Sequence, residues 1–207
     1  LHYAGDTLLH AEKSACGEAV LELIELLTGS VTEQEANLLY IAVTTDTGCF
    51  QYANTNAATL RAAARLLELG ADNRKVSMEF FRKISRARMA LVGHIYSGMR
   101  FFRGGQIAIA VVTRALIDAL QATEDDCDDI AGLPGRADGV VVSVTIRELT
   151  DGRSKISVRT TPEVDSCAIC AVYGGGGHKM ASGCTLTCDP ETAVEKILAA
   201  IDQVWPA

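Results

Sequence analysis

Residues 174–183 read Gly-Gly-Gly-Gly-His-Lys-Met-Ala-Ser-Gly. Four successive glycines strip every Cβ from a length of main chain, so the backbone there can adopt φ > 0 and approach a ligand or another strand closely. Successive exposed N–H groups in such a turn form a concave anion site, and His178 adds a side-chain donor of a type that can be charged near neutral pH. Gly174, Gly175, Gly176, Gly177 and His178, followed by the small Ala181, Ser182 and Gly183, point to a bound phosphate. A plain tight turn is the alternative reading of the glycines alone.

The chain has 207 residues, room for one large or two small domains. It is 48% hydrophobic but only 5% aromatic, so Ala, Val, Leu and Ile carry the core. A net charge of −7 argues against wrapping a long nucleic acid, which needs an extended basic stripe, and leaves room for a small phosphorylated ligand. The charge is uneven. Arg74, Lys75, Arg82, Lys83, Arg86, Arg88, Arg100 and Arg103 share their window with one acid, Glu79, which reads either as a solvated helix face or as a wall attracting a phosphorylated substrate. Seven cysteines, an odd number with no secretory apolar segment ahead of them, read as reduced thiols in a cytoplasmic protein. No apolar run approaches the ~18–20 residues of a membrane span.

Periodicity predicts a helix over about 14–27 with Val20, Leu23, Ile24 and Leu27 on one face. Thr32 and Glu35 form a capping box that opens a second helix with Ala36, Leu39, Tyr40 and Val43 inward. That helix leads into Thr44-Thr45-Asp46-Thr47-Gly48, and Phe50, Gln51 and Tyr52 read as extended. Asn54 or Thr55 caps a third helix with Leu60, Ala63, Ala64 and Leu67 on one face, stopped by Gly70. Helical character continues over about 75–100, with Gly93 and Gly98 as weak points. The pattern changes at Arg103-Gly104-Gly105, which sets the expected domains at 1–100 and 104–207. In the second, strands are expected over 106–113, 139–147, 155–160 and 182–187. Helices are expected over 114–121, 125–131, 164–173 and 190–204, the last with Asp189 as N-cap and Pro190 at N1. The fold class is therefore α/β: a helical first part followed by a mixed α/β domain.

Asp46 sits in a Thr-Asp-Thr-Gly turn, well placed as an oxygen ligand for a hard divalent cation; an Asx-turn or cap is the bland alternative. Ser157 and Arg159 lie two apart on a strand, share a face and form a small grip for phosphate or carboxylate. Cys167/Cys170 and Cys184/Cys188 have spacings reminiscent of a zinc knuckle, but small buried cysteines explain them better. Glu124, Asp125, Asp126, Asp128 and Asp129 read as a solvated helix N-terminus. His2, His10 and His94 receive no role.

Thr45-Asp46-Thr47-Gly48-Cys49-Phe50 with Asn54-Thr55, the Ser157-Val158-Arg159 strand, and Gly174–Gly177 with His178, Ala181 and Gly183 together resemble the DHH phosphoesterase family with its DHH-associated C-terminal domain, closest to the nanoRNase/pAp-phosphatase branch. The resemblance implies a helical C-terminal part of a DHH catalytic domain followed by a mixed α/β substrate-binding domain. It implies manganese-dependent hydrolysis (two Mn2+ ions, with Mg2+ or Co2+ as substitutes) of short oligoribonucleotides, linear dinucleotides or 3′-phosphoadenosine 5′-phosphate, by a cytoplasmic homodimer. Asp46 would be a metal ligand. Ser157, Arg159, Gly174, Gly175, Gly176, Gly177 and His178 would hold the substrate across a cleft from the metals. The family's Asp-His-His motif is not in this sequence. The resemblance places it upstream of Leu1, so the chain is expected to be a C-terminal piece that is inactive alone. The competing expectation is a nucleotide-binding or regulatory module that kept the glycine loop and lost catalysis.

Overall fold

The computed structural model describes residues 10–206, which leaves His2 outside, and they form two compact units dividing between Ile84 and Ser85. The first contains α1 (Cys16–Thr28), α2 (Glu33–Asp46), α3 (Ala57–Glu68) and α4 (Asn73–Ser77), the last continued by a π-helical turn, Met78–Arg82. Helix α2 opens with the expected capping box: the Thr32 hydroxyl accepts from Glu35 N at 3.3 Å and the Glu35 carboxylate accepts from Thr32 N at 2.8 Å. Its expected inward face, Ala36, Leu39, Tyr40 and Val43, is buried.

Helices α1 and α3 are rotated from expectation. Val20, Leu23 and Leu27 are exposed, and α1 instead buries Gly17, Glu18 and Leu21, with Ile24 only partly covered. Leu60 and Leu67 are exposed and α3 buries Thr59, Ala63 and Leu66. A buried polar cluster sets both rotations. The Glu18 carboxylate, 3% exposed, accepts from Ser14 N at 3.0 Å, Ala15 N at 3.2 Å and the Thr59 hydroxyl at 3.1 Å. Gly17 meanwhile lets α1 approach α2, since a Cβ there would stand 3.1 Å from the Ala42 Cβ. The cap of α3 is Asn56, whose side-chain oxygen accepts from Ala58 N and Thr59 N, not Asn54 or Thr55. The expected extended piece at 50–52 is a tight turn: Gly48, Cys49 and Phe50 have φ of 55°, 56° and 66°.

The second unit contains α5 (Arg86–Ser97), β1 (Arg100–Phe102), β2 (Ile107–Val112), α6 (Arg114–Ala119), β3 (Val142–Glu148), β4 (Ser154–Thr160), α7 (Ser166–Ala171), β5 (Gly176–His178), β6 (Ala181–Leu186) and α8 (Pro190–Val204). The strands form one mixed sheet in the order β1-β2-β3-β4-β6-β5, with β2–β3 its parallel pair. One face of the sheet (Ile107, Ile109, Val142, Val144, Ile146, Ile156 and Val158) packs with residues of α7 and α8, among them Ile169, Ile197 and Ile201. On the opposite face, Ala110 and Val112 of β2 cluster with Leu91 and Ile95 of α5, Ile117 of α6, and Cys127, Ile130 and Leu133.

Helix α5 thus belongs with the sheet, and this moves the division of the chain upstream of Arg103-Gly104-Gly105. The acids at 124–129 make the joint. Segment 125–131 is not one helix but two 3-10 turns broken at Asp129, whose φ is 57°. The Asp126 carboxylate accepts from the Ser85 hydroxyl at 2.5 Å and from Thr123 N at 2.8 Å, and these bonds hold its pKa below the ordinary carboxylate value. Arg88 donates to the carbonyls of Asp125, Asp126 and Asp128. The basic window does not make a continuous wall: Lys83 pairs with Glu79, Arg100 with Glu191 and Arg103 with Asp202, the last also stacking on Trp205.

The rotated face of α1 is checked by a pair of substitutions. Glu18→Ala strips three donors of their acceptor and is expected to cost about 1–3 kcal/mol. Leu27→Ala, on the face that the apolar spacing alone would bury, should stay within about 0.5 kcal/mol of the parent. Urea unfolding followed by far-ultraviolet circular dichroism measures both.

Candidate functional site

The glycine run begins as a turn and ends as a strand. It leaves α7 with Gly174 N and Gly175 N bonded to the carbonyls of Ala171 and Cys170, and Gly174 takes φ 70°. From Gly176 it is β5, paired to β6 with Gly176 opposite Gly183, Gly177 opposite Ser182 and His178 opposite Ala181. A Cβ on Gly175 would stand 2.3 Å from the Gly183 carbonyl oxygen, and one on Gly177 would stand 2.5 Å from that of Ala181. These two glycines are therefore required by packing. Gly176 is exposed, and a Cβ there would meet nothing within 4 Å. The expected loop is thus half an edge strand, and one side of an edge strand carries backbone groups with no ladder partner.

Two serines tie this hairpin to α7. Ser166 N donates to Lys179 O at 2.7 Å and Ser166 Oγ to His178 O at 3.1 Å. Buried Ser182 donates from Oγ to Ser166 O at 2.6 Å and lies 3.1 Å from the Cys170 sulfur. Sequence reasoning missed Ser166; the alternation Ser182, Cys184, Leu186 along β6 was the available signal for an inward Ser182. The spacings Cys167/Cys170 and Cys184/Cys188 do not give the pairing that forms. Cys170 and Cys184, both buried, hydrogen-bond to each other. That bond, helped by the Ser182 hydroxyl and the nearby charge of Arg159, lowers the Cys170 thiol to about 7 against the opposing effect of burial, while the same bond and burial push Cys184 up. Among the described residues no three His, Cys, Asp or Glu side chains group to hold a metal ion.

Strand β4 puts Ile156 and Val158 into the core and Lys155, Ser157 and Arg159 on the other face. Residues opposite each other in a ladder share a face, so the pairing lays out three rows across the sheet. The first is Ser143, Arg159, Ala181 and His178; the second Thr145, Ser157, Gly183 and Gly176; the third Arg147, Lys155 and Thr185. Ser157, Arg159, His178 and Gly176 are therefore brought to one surface, with His178 two strand spacings, about 10 Å, from Arg159. A cavity of about 190 Å³ lies over the β3–β4 part of this surface, bounded by Thr145, Arg147, Lys155, Ser157 and Arg159 and by the turn at 127–131. Arg159 also borders a second cavity of about 200 Å³ beside Gly132, Gly135 and Ser143. Its guanidinium donates to the Val158 carbonyl at 3.0 Å. Neither Arg159 nor Lys155 forms an ion pair among the described residues.

In the first unit, Asp46 is the last residue of α2, where the helix dipole favours a cation. Its neighbours in the motif have structural work. The Thr47 hydroxyl donates to Val43 O at 2.7 Å and accepts from Phe50 N at 3.2 Å. Gly48 makes room for the Tyr52 ring, which a Cβ would approach to 2.4 Å. Asn54 Nδ2 donates to the carbonyls of Asp46 at 3.2 Å and Ser14 at 3.1 Å. This leaves Asp46 itself exposed at the helix end.

Residues 104–205 match the DHHA1 domain family. The chain is 36% identical over 191 residues to the bifunctional oligoribonuclease and PAP phosphatase NrnA of Thermus thermophilus, covering 91% of this chain and 56% of that protein. It is 31% identical to the protein of the same name from Mycoplasma genitalium, over 84% of this chain and 53% of that protein. The chain thus spans about half the length of these curated relatives. Among solved structures, an exopolyphosphatase-related protein from Bacteroides fragilis aligns over 98% of this chain and 62% of its own, with a TM-score of 0.85 and 25% identity. The mixed sheet, the glycine strand beside Ser157 and Arg159, and these likenesses agree: the chain belongs to the DHH phosphoesterase family, on its nanoRNase-like branch, with a DHHA1 domain at its C-terminal end.

Proposed function

We propose that the natural protein carrying this sequence is a metal-dependent phosphoesterase that hydrolyses short oligoribonucleotides, linear dinucleotides or 3′-phosphoadenosine 5′-phosphate. Its DHHA1 domain would hold the substrate. The observation that carries the reading is the shared face of Ser157, Arg159 and His178 beside the exposed, side-chain-free Gly176, with Arg159 unmatched by a carboxylate among the described residues. An arginine and a histidine across a floor of small residues bind a phosphate through charge-assisted hydrogen bonds, while Ser157 and the open edge of β5 supply further donors. The names of the curated relatives, which join oligoribonuclease and PAP phosphatase, support the substrate class.

Asp46 is proposed as one ligand of a manganese ion, since its carboxylate is exposed at the cation-favouring end of α2. One carboxylate does not fit a two-ion centre, and among the described residues no three His, Cys, Asp or Glu side chains group to complete one. A homodimer and a cytoplasmic location belong to the same proposal on family resemblance alone. No helix among the described residues is long and apolar enough to cross a membrane.

Arg159→Ala and His178→Ala should each weaken binding of a 5′-phosphorylated dinucleotide by roughly tenfold or more, the scale of one lost charge-assisted hydrogen bond. Calorimetric titration measures this, and unchanged affinity in both variants would remove the assigned grip. Asp46→Ala in the natural protein should lower both manganese-dependent turnover and bound manganese by metal analysis; full retention of both takes Asp46 out of the metal site. Gly176→Ala should leave thermal stability near that of the parent while weakening nucleotide binding. Gly177→Ala, where a Cβ has no room, should destabilise the fold by about 1–3 kcal/mol, as thermal melts and the same titrations would show.

A further inference from the structure

The third row of the polar face is unused by that reading. Lys155 stands on the same face of β4 as Ser157 and Arg159, is exposed, and borders the same cavity. Arg147 is opposite it in the ladder and borders the cavity as well. Glu124 holds the Arg147 guanidinium at 2.7 Å, leaving that side chain 16% exposed, so the charge free to meet a ligand is that of Lys155. The second row, Thr145, Ser157, Gly183 and Gly176, makes a floor of small side chains between two walls. Arg159 and His178 rise on one side, Lys155 and Arg147 on the other. The Cα atoms of Lys155 and Arg159 are about 13 Å apart along the strand, and both side chains are long enough to lean over the floor.

We infer that Lys155, supported by Arg147, forms a second phosphate subsite facing the one at Arg159, so that the trough selects nucleotides carrying two phosphates over those carrying one. The inference rests on the substrate-holding reading above and deepens it. The acids fix the orientation. Asp128 and Asp129 border the cavity at the turn, where they repel an anion and accept from hydroxyl or amino groups. The sugar or base therefore faces the turn and the phosphates lie along the two cationic walls. A 3′,5′-bisphosphorylated nucleoside and a 5′-phosphorylated dinucleotide share the required chemistry, two phosphates flanking a ribose.

The test is calorimetric titration of the 207-residue chain, without divalent cation, against adenosine 5′-monophosphate, adenosine 3′,5′-bisphosphate and a 5′-phosphorylated diadenylate. The parent should bind at least one two-phosphate ligand more tightly than the monophosphate. Lys155→Ala should weaken that ligand about three- to tenfold, between the scales of an exposed ion pair and a charge-assisted hydrogen bond, and leave the monophosphate within about twofold. The ligand that shows the loss identifies which source of the second phosphate the subsite takes. Arg159→Ala should weaken all three ligands. If Arg159→Ala weakens all three while Lys155→Ala changes none, or changes all equally, the second subsite is overturned and the first stands. If the parent binds none of them, or Arg159→Ala has no effect, the substrate-holding reading fails and the second subsite falls with it.

Discussion

Strand β4 is laddered on both sides, to β3 and to β6, and that double pairing fixes which way each of its side chains points. Side chains alternate with a period of two, so a slip of one residue would turn Ile156 and Val158 out of the core and Lys155, Ser157 and Arg159 into it. Burying three polar side chains, two of them cationic, and exposing two aliphatic ones costs far more than any local preference along the strand could offset. The register is thus held by the hydrophobic face, and the polar face inherits its order from it. The three rows of the site follow from this pairing without any interaction of their own: Arg159 meets Ala181 and then His178 because Val158 and Ile156 are anchored beneath.

The same logic explains what could be read from the chain and what could not. In the second unit β2, β3 and β4 were legible because they are short, β-branched and bounded by turn residues, and because alternation alone assigns each face. Ser157 and Arg159 could be placed on one side of a strand from spacing. That His178 joins them came from the family resemblance and not from spacing, because it depends on β6 lying between β4 and β5, and strand order is not a local property. The acids at 124–129 were misleading for a related reason. A run of carboxylates normally solvates a helix start, but Asp126 is turned inward by Ser85 and Thr123, and the neighbouring carbonyls are gathered by Arg88. The Ser85 and Arg88 contacts come from roughly forty positions away, and they also place α5 with the sheet and not with the helices before it.

In the first unit, periodicity succeeded for α2 and failed for α1 and α3. Helix α2 is packed by both neighbours, and its apolar stripe is the buried one. Helices α1 and α3 are steered by a polar contact, Glu18 with Thr59, that no hydrophobic count registers. A buried carboxylate is tolerable only when its acceptor capacity is used, and here it collects two backbone N–H groups and a hydroxyl. The helices turn to make those bonds, and Leu23, Leu27 and Leu60 are left at the surface. The turn after Asp46 is drawn into the same cluster, since Ser14 bonds both the Asn54 carbonyl and the Thr59 hydroxyl. The position of the proposed metal ligand therefore depends on the buried acid at the start of α1.

The glycine run separates structural necessity from functional fitness residue by residue. Gly174 turns the chain in the left-handed region. Gly175 and Gly177 let β5 lie against β6 at distances that exclude a Cβ. A fold that needed only this hairpin would place no constraint on Gly176, which faces open space. Yet Gly176 is level with Gly183, Ser157 and Thr145, and a side chain there would rise from the floor between the two cationic walls. On the proposed reading, the glycine that the protein interior does not require is the one that would keep the trough clear. The run thus meets a packing need where the chain turns back and, on the proposed reading, would leave an unobstructed surface where a nucleotide rests.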